Sequence, residues 1–187
     1  MVSRRRTGRA GSGEGGRGSG GGDVAELGRR VFLSTFEKQL DAKRRIVVPQ
    51  EFRASIGGLF DGVFCFPSIE ADCIEGGGKA LFDRYIGVID ELPFGDPLRS
   101  ALETTVLGGV NQLSFDTAGR VTLPESLCDM FGLGAGEWVS VVGLRERFQI
   151  WPKAAFEARR TEQRLFAREG LPAFRTQQRV ARAGAAE

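Results

Sequence analysis

The chain has 187 residues, 41% of them hydrophobic, which is enough for one medium domain or two small ones with an ordinary core. It has no histidine, and its three cysteines, Cys65, Cys73 and Cys128, form no close pair. This argues against Ser-His or Cys-His catalysis, a zinc centre, a CxxC redox site and a disulfide framework, and makes the cysteines core residues. The net charge of +2 is unevenly spread: residues 1–30 carry +4, residues 153–187 carry +4 and the middle carries −6. Nucleic acid must therefore be met through local basic clusters, because the core as a whole is acidic.

In chain order, residues 1–28 are dominated by Gly, Ser and Arg with no apolar period, so they are expected to be a disordered tail. That start lacks the apolar stretch of a secretion signal. No window approaches the roughly 18 apolar residues of a membrane span, and a cytoplasmic protein is expected. Residues 29–78 read as a first β-β-α-β-β unit. Val31 to Phe36 suits a strand, and Asp41-Ala42-Lys43-Arg44-Arg45 turns the chain. Ile46 and Val48 then share one strand face, Pro49 opens a helix with Phe52 and Ile56 at i and i+4, and Gly57 suits its end. Val63 to Phe66 is a further strand.

Residues 79–107 read as a helical connection interrupted between Pro93 and Pro97. Residues 108–152 repeat the first unit. Asp116-Thr117-Ala118-Gly119-Arg120 lies 75 residues after Asp41 to Arg45, and Val121, Leu123, Pro124, Leu127, Phe131 and Gly132 follow at that same offset. The strands Val110–Phe115, Trp138–Val142 and Phe148–Trp151 complete the second copy. A helix is expected from Lys153 to about Arg168, and a mobile basic tail after Pro172. The aromatic residues Phe64, Phe66, Trp138 and Trp151, in alternating apolar strands, are expected in the core. The helix carrying Phe156, Arg159, Arg160, Gln163 and Arg164 is open to two readings, a contact with DNA or a neighbouring subunit and a solvated face, the second at least as well supported.

Two such motifs at this spacing, with the Ile150-Trp151-Pro152-Lys153 run, resemble the MraZ family of the AbrB-like swapped-hairpin superfamily, over about Val31 to Arg160. The resemblance implies an α+β fold in which the duplicated units form a β-barrel core with additional helices. It also implies a cytoplasmic, nucleoid-associated regulator of the division and cell-wall gene cluster, which assembles as a ring and binds direct repeats in promoter DNA. The family's DNA-facing turns fall on Asp41–Arg45 and Asp116–Arg120. Lys43, Arg44, Arg45 and Arg120 are the expected DNA-binding residues, Arg45 first among them because Arg pairs bidentately with guanine in the major groove. Asp41 and Asp116 are expected to stabilise the turns.

No cofactor, metal or catalytic residue is expected, and the chain is not read as an enzyme. The alternative function is an interaction or antitoxin-type assembly module in which each Arg merely pairs with its own Asp. Two departures from the family pattern are Arg44, where the family usually has glycine, and Gly76-Gly77-Gly78, where an apolar strand end is expected. The first calls for about 1 kcal/mol of strain or a reshaped turn, the second for a distorted hairpin.

Overall fold

The computed structural model describes residues 31–56 and 62–184. The expected tail and Gly57 lie outside them. Among the described residues, eight strands and five helices follow in chain order: β1 Thr35–Gln39, β2 Arg45–Val47, α1 Gln50–Ser55, β3 Gly62–Pro67, β4 Ile74–Gly77, α2 Lys79–Asp90, α3 Pro97–Leu102, which continues as a π-helical turn over Glu103–Leu107, β5 Asn111–Ser114, β6 Arg120–Thr122, α4 Glu125–Met130, β7 Trp138–Gly143, β8 Phe148–Pro152 and α5 Lys153–Gly184. The fold is α+β with antiparallel strand pairing.

The two copies of the repeat pair with each other strand for strand. Strand β1 lies on β7 and β5 on β3, β4 lies on β8, and β2 pairs only with β6. In that last pair Ile46 faces Val121, its own counterpart 75 residues on, with Arg45 opposite Thr122 and Val47 opposite Arg120. The ribbon is thus centred on a local two-fold relation between the repeats. Neither copy supplies a complete sheet alone, because each strand of one finds a hydrogen-bonding partner in the other.

The strands form an open six-stranded sheet, ordered β1-β7-β8-β4-β3-β5, and a separate two-stranded ribbon, rather than the closed barrel expected. The turns before β2 and β6 are the cause. Each lifts the chain away from the strand it has just left, and the three-residue strand that follows spends its backbone groups on its counterpart instead of closing the sheet.

One core joins sheet, ribbon and short helices. Ile46 and Val121 from the inner face of the ribbon, Leu40, Val48 and Leu123 beside it, Phe52 and Leu127 from α1 and α4, and Val63, Val141 and Ile150 from the sheet are all buried. Phe32 meets Phe52 and Phe148 edge-on at 5.2 and 5.4 Å, the arrangement the ring quadrupoles favour. Proline starts α1 and α4 without a lost hydrogen bond, since the first helical amides have no intrahelical partner. Gly132, just after α4, takes φ +64°.

Several local expectations change. Residues 76 and 77 cause no distortion: β4 pairs in register with β3 and β8, and glycine is needed because a Cβ on Gly76 would lie 2.5 Å from Phe148 Cζ. Phe66 and Trp151 are buried, and Phe64 is half-buried and stacked on Phe82, but Trp138, at the sheet rim, is 49% exposed with Lys153 Nζ 5.8 Å from its ring centre. The segment after Pro172 is helical, not a loose tail: α5 runs through Pro172 to Gly184. It is seated at its start by Phe156 against Trp151, Cys73 and Val142. All three cysteines are free and buried.

Candidate nucleic-acid interface

The sequence DAKRR before β2 and DTAGR before β6 fold into the same structure. In the first turn the Asp41 amide donates to the Arg45 carbonyl at 3.1 Å and the Arg44 amide donates to the Asp41 carbonyl at 3.0 Å. The Asp41 carboxylate accepts from the Lys43 amide at 2.8 Å and the Arg45 amide at 3.0 Å through Oδ1, and from Arg45 Nε at 2.7 Å through Oδ2. The second turn repeats this set. Asp116 Oδ1 accepts from the amides of Ala118 and Arg120, both at 2.9 Å, and Oδ2 accepts from Arg120 Nε at 2.7 Å.

These donors act on the ionised carboxylates. The Arg45 amide, then the Lys43 amide and the Arg45 guanidinium, hold the Asp41 pKa down to about 2, against opposing desolvation. Asp116 is lowered in the same direction, first by the Arg120 amide.

The aspartates use only the Nε edge of each arginine. The terminal nitrogens of Arg45 and Arg120 have no hydrogen-bond partner among the described residues. Their side chains are about one-third exposed, at 29% and 33%. Both arginines are thus fixed at one edge and open at the other. Arg45, Val47, Arg120 and Thr122 make up the outer face of the ribbon, while Ile46 and Val121 point into the core. Because β2 and β6 are antiparallel, the two turns stand at opposite ends of this face, with Arg45 and Arg120 about 7 Å apart along it by strand rise.

Arg44 adopts φ +57°, beside φ +72° for Gly119 at the matching position. The first turn is therefore not reshaped to suit its arginine; the arginine accepts the left-handed conformation. Its guanidinium is 3.8 Å from Glu125, and its Nε is buried with no hydrogen-bond partner among the described residues. It also lies close enough to the Cys128 thiol for its charge to oppose the upward shift that burial imposes there. Lys43 is exposed at the turn tip. The structure thus gathers Lys43, Arg44 and Arg45 on one turn and Arg120 at the ribbon's far end.

Arg53 of α1 was not apparent as a site residue from the motif alone. Its Nε donates to the Val48 carbonyl at 3.2 Å, and its guanidinium occupies the space in front of Gly119, where a Cβ would lie 2.5 Å from Arg53 Cζ. The available signal was a comparison across the repeat: the turn pair Arg44 and Gly119 changes together with the helix pair Arg53 and Cys128, both at the 75-residue offset.

Comparison of the sequence with known proteins gives its family. A protein 76% identical over 152 residues, spanning 81% of this chain and 94% of the relative, is the transcriptional regulator MraZ of Phenylobacterium zucineum. The chain belongs to the MraZ family. The transcriptional regulator MraZ of Caulobacter vibrioides is 70% identical over 81% of this chain and 96% of its own length, and that of Rickettsia felis 41% identical over 68% and 85%. The family model described as MraZ protein, putative antitoxin-like, matches residues 106–170, which include the second turn, the ribbon strand β6 and the first half of α5. Among the described residues no helix is long and apolar enough to cross a membrane, and no group of three or more Cys, Asp or Glu side chains is placed to hold a metal ion.

Proposed function

We propose that this MraZ-family chain is a sequence-specific transcriptional regulator that binds promoter DNA through the ribbon face and its two DxxxR turns. One observation carries the reading. Two arginines, each clamped by an aspartate at Nε and open at its terminal nitrogens, stand on one exposed two-stranded face. A ribbon of this width fits the major groove, and a guanidinium held by one edge retains the donors that guanine O6 and N7 require. Arg45 reads base edges, Lys43 and Arg44 attract phosphate, and Arg120 repeats the role of Arg45 with fewer basic neighbours. Asp41 and Asp116 hold the turns rather than touch DNA, since a carboxylate beside phosphate is repelled.

Few basic groups per chain bind weakly alone. Several subunits closed in a ring would present equivalent faces to successive direct repeats, each added contact becoming intramolecular. The target in this reading is the promoter of the division and cell-wall gene cluster, and the protein works in the cytoplasm at the nucleoid.

The test is binding to a promoter fragment carrying direct repeats at several salt concentrations, for wild type and Arg45→Ala, with assembly size read by light scattering. Loss of specific binding with assembly retained supports the reading. Equal binding by both proteins, or none above scrambled DNA, sinks it and favours the second reading, an antitoxin-type assembly module in which the observed Asp-Arg pairs are purely structural.

A further inference from the structure

The two turns are unequal in their own sequence, with three basic residues in the first and one in the second. The structure offsets this by an exchange between turn and helix. In the first half the turn contributes Arg44, whose side chain extends toward α4, where the residue matching Arg53 is the small buried Cys128. In the second half the turn contributes Gly119, and the guanidinium in front of it comes from Arg53 on α1. Each turn therefore has one guanidinium beside its left-handed residue, supplied from the turn in one case and from the facing helix in the other.

We infer that Arg53 is a DNA-contacting residue that completes the second turn, binding a phosphate beside Arg120 as Arg44 does beside Arg45. This rests on the DNA-binding reading above and adds a residue that lies outside both DxxxR motifs. Three features support it. Arg53 is anchored through Nε alone, by the Val48 carbonyl, and among the described residues no carboxylate pairs with its guanidinium. The carboxylate that faces Arg44, Glu125, is matched in the repeat by the neutral Gln50. The Arg53 charge is thus less compensated than that of Arg44. Glycine at 119 is also what admits the guanidinium, since any side chain there would displace it.

The experiment compares wild type, Arg45→Ala, Arg53→Ala and the double variant Arg53→Ala/Gly119→Arg on specific and scrambled DNA across a salt series. Urea unfolding is run in parallel to confirm folding. The double variant moves the guanidinium from helix to turn, the arrangement the first half already uses. Arg53→Ala is expected to bind about tenfold more weakly for each subunit engaged, on both DNAs, as loss of a charged contact to phosphate predicts. Its salt slope should fall by about 0.9 for each subunit engaged. The double variant is expected to regain both.

If Arg45→Ala loses binding while Arg53→Ala keeps wild-type affinity and slope, the inference about Arg53 is overturned and the general reading stands. If Arg53→Ala weakens binding but the double variant does not recover it, Arg53 serves only to hold the Val48 carbonyl, and the inference is again overturned. If Arg45→Ala itself binds normally, the failure lies with the DNA-binding reading.

Discussion

Arg44 offers a sharp test of how this fold tolerates strain for the sake of charge. At φ +57° a non-glycine residue costs about 1–2 kcal/mol. Arg44→Gly and Arg44→Ala both remove the guanidinium, the 3.8 Å ion pair to Glu125 and the unsatisfied buried Nε, so those losses cancel when the two variants are compared. What remains is the strain that Ala retains, set against the extra freedom, about 0.5–1 kcal/mol, that Gly gives the unfolded chain. The glycine variant should be the more stable by roughly 0.5–1 kcal/mol, or about 2 °C in Tm for a chain of this size. Urea unfolding at one fixed protein concentration, with a common m-value, measures the difference. An alanine variant as stable as the glycine variant, or more so, would refute the claim that the turn imposes its left-handed conformation on residue 44. In the proposed reading, in which Arg44 attracts phosphate, both variants lose DNA affinity equally, which separates the fold's preference at residue 44 from the proposed use of its charge.

Other perturbations have defined outcomes. Glu75 is fully buried, accepts hydrogen bonds from Tyr85 Oη at 2.7 Å and Ser68 Oγ at 3.1 Å, and lies 3.5 Å from Arg147 Nε. Glu75→Leu leaves these donors unmatched and should cost about 3 kcal/mol in urea unfolding; a cost under about 1 kcal/mol would contradict the network. Gly76→Ala places a Cβ against the Phe148 ring and should lower stability by about 1–3 kcal/mol, whereas an unchanged Tm would show that the ring moves freely.

The Asp41 carboxyl should titrate near 2 when followed by NMR, below its ordinary 3.8. Because the folded value is depressed, its contribution to the turn is complete above about 4 and is lost as the pH falls through about 2. A midpoint at 3.8 would mean that the amide contacts do not persist in solution. Asp116 should also titrate below its ordinary value.

Much of the site was legible as pattern. The 75-residue offset placed both turns, and the period-two residues Ile46, Val48, Val121 and Leu123 are all buried. The aspartates are followed at i+4 by arginines that they bind in the structure. These features are local: a turn and its short strand carry their geometry within a few residues, so spacing alone reports them.

The partner of each strand was not local. Nothing in the three residues Arg45-Ile46-Val47 says that they pair with Arg120-Val121-Thr122 and leave the large sheet open, because that choice is made between segments 75 residues apart. Gly76 and Gly77 could not be read as a regular strand end from sequence, because the contacts that require them, Phe148 over Gly76 and Leu81 beside Gly77, are tertiary. The last helix was expected to end at about Arg168 with a mobile tail after Pro172, yet α5 passes through Pro172 to Gly184. Arg53 belongs to the second turn only because α1 of one repeat packs against the turn of the other. The sequence by itself determined the turns, their charges and the duplication, all set by neighbours along the chain. Tertiary structure alone decided which copy completes which, because short strands gain stability only from partners that folding brings alongside.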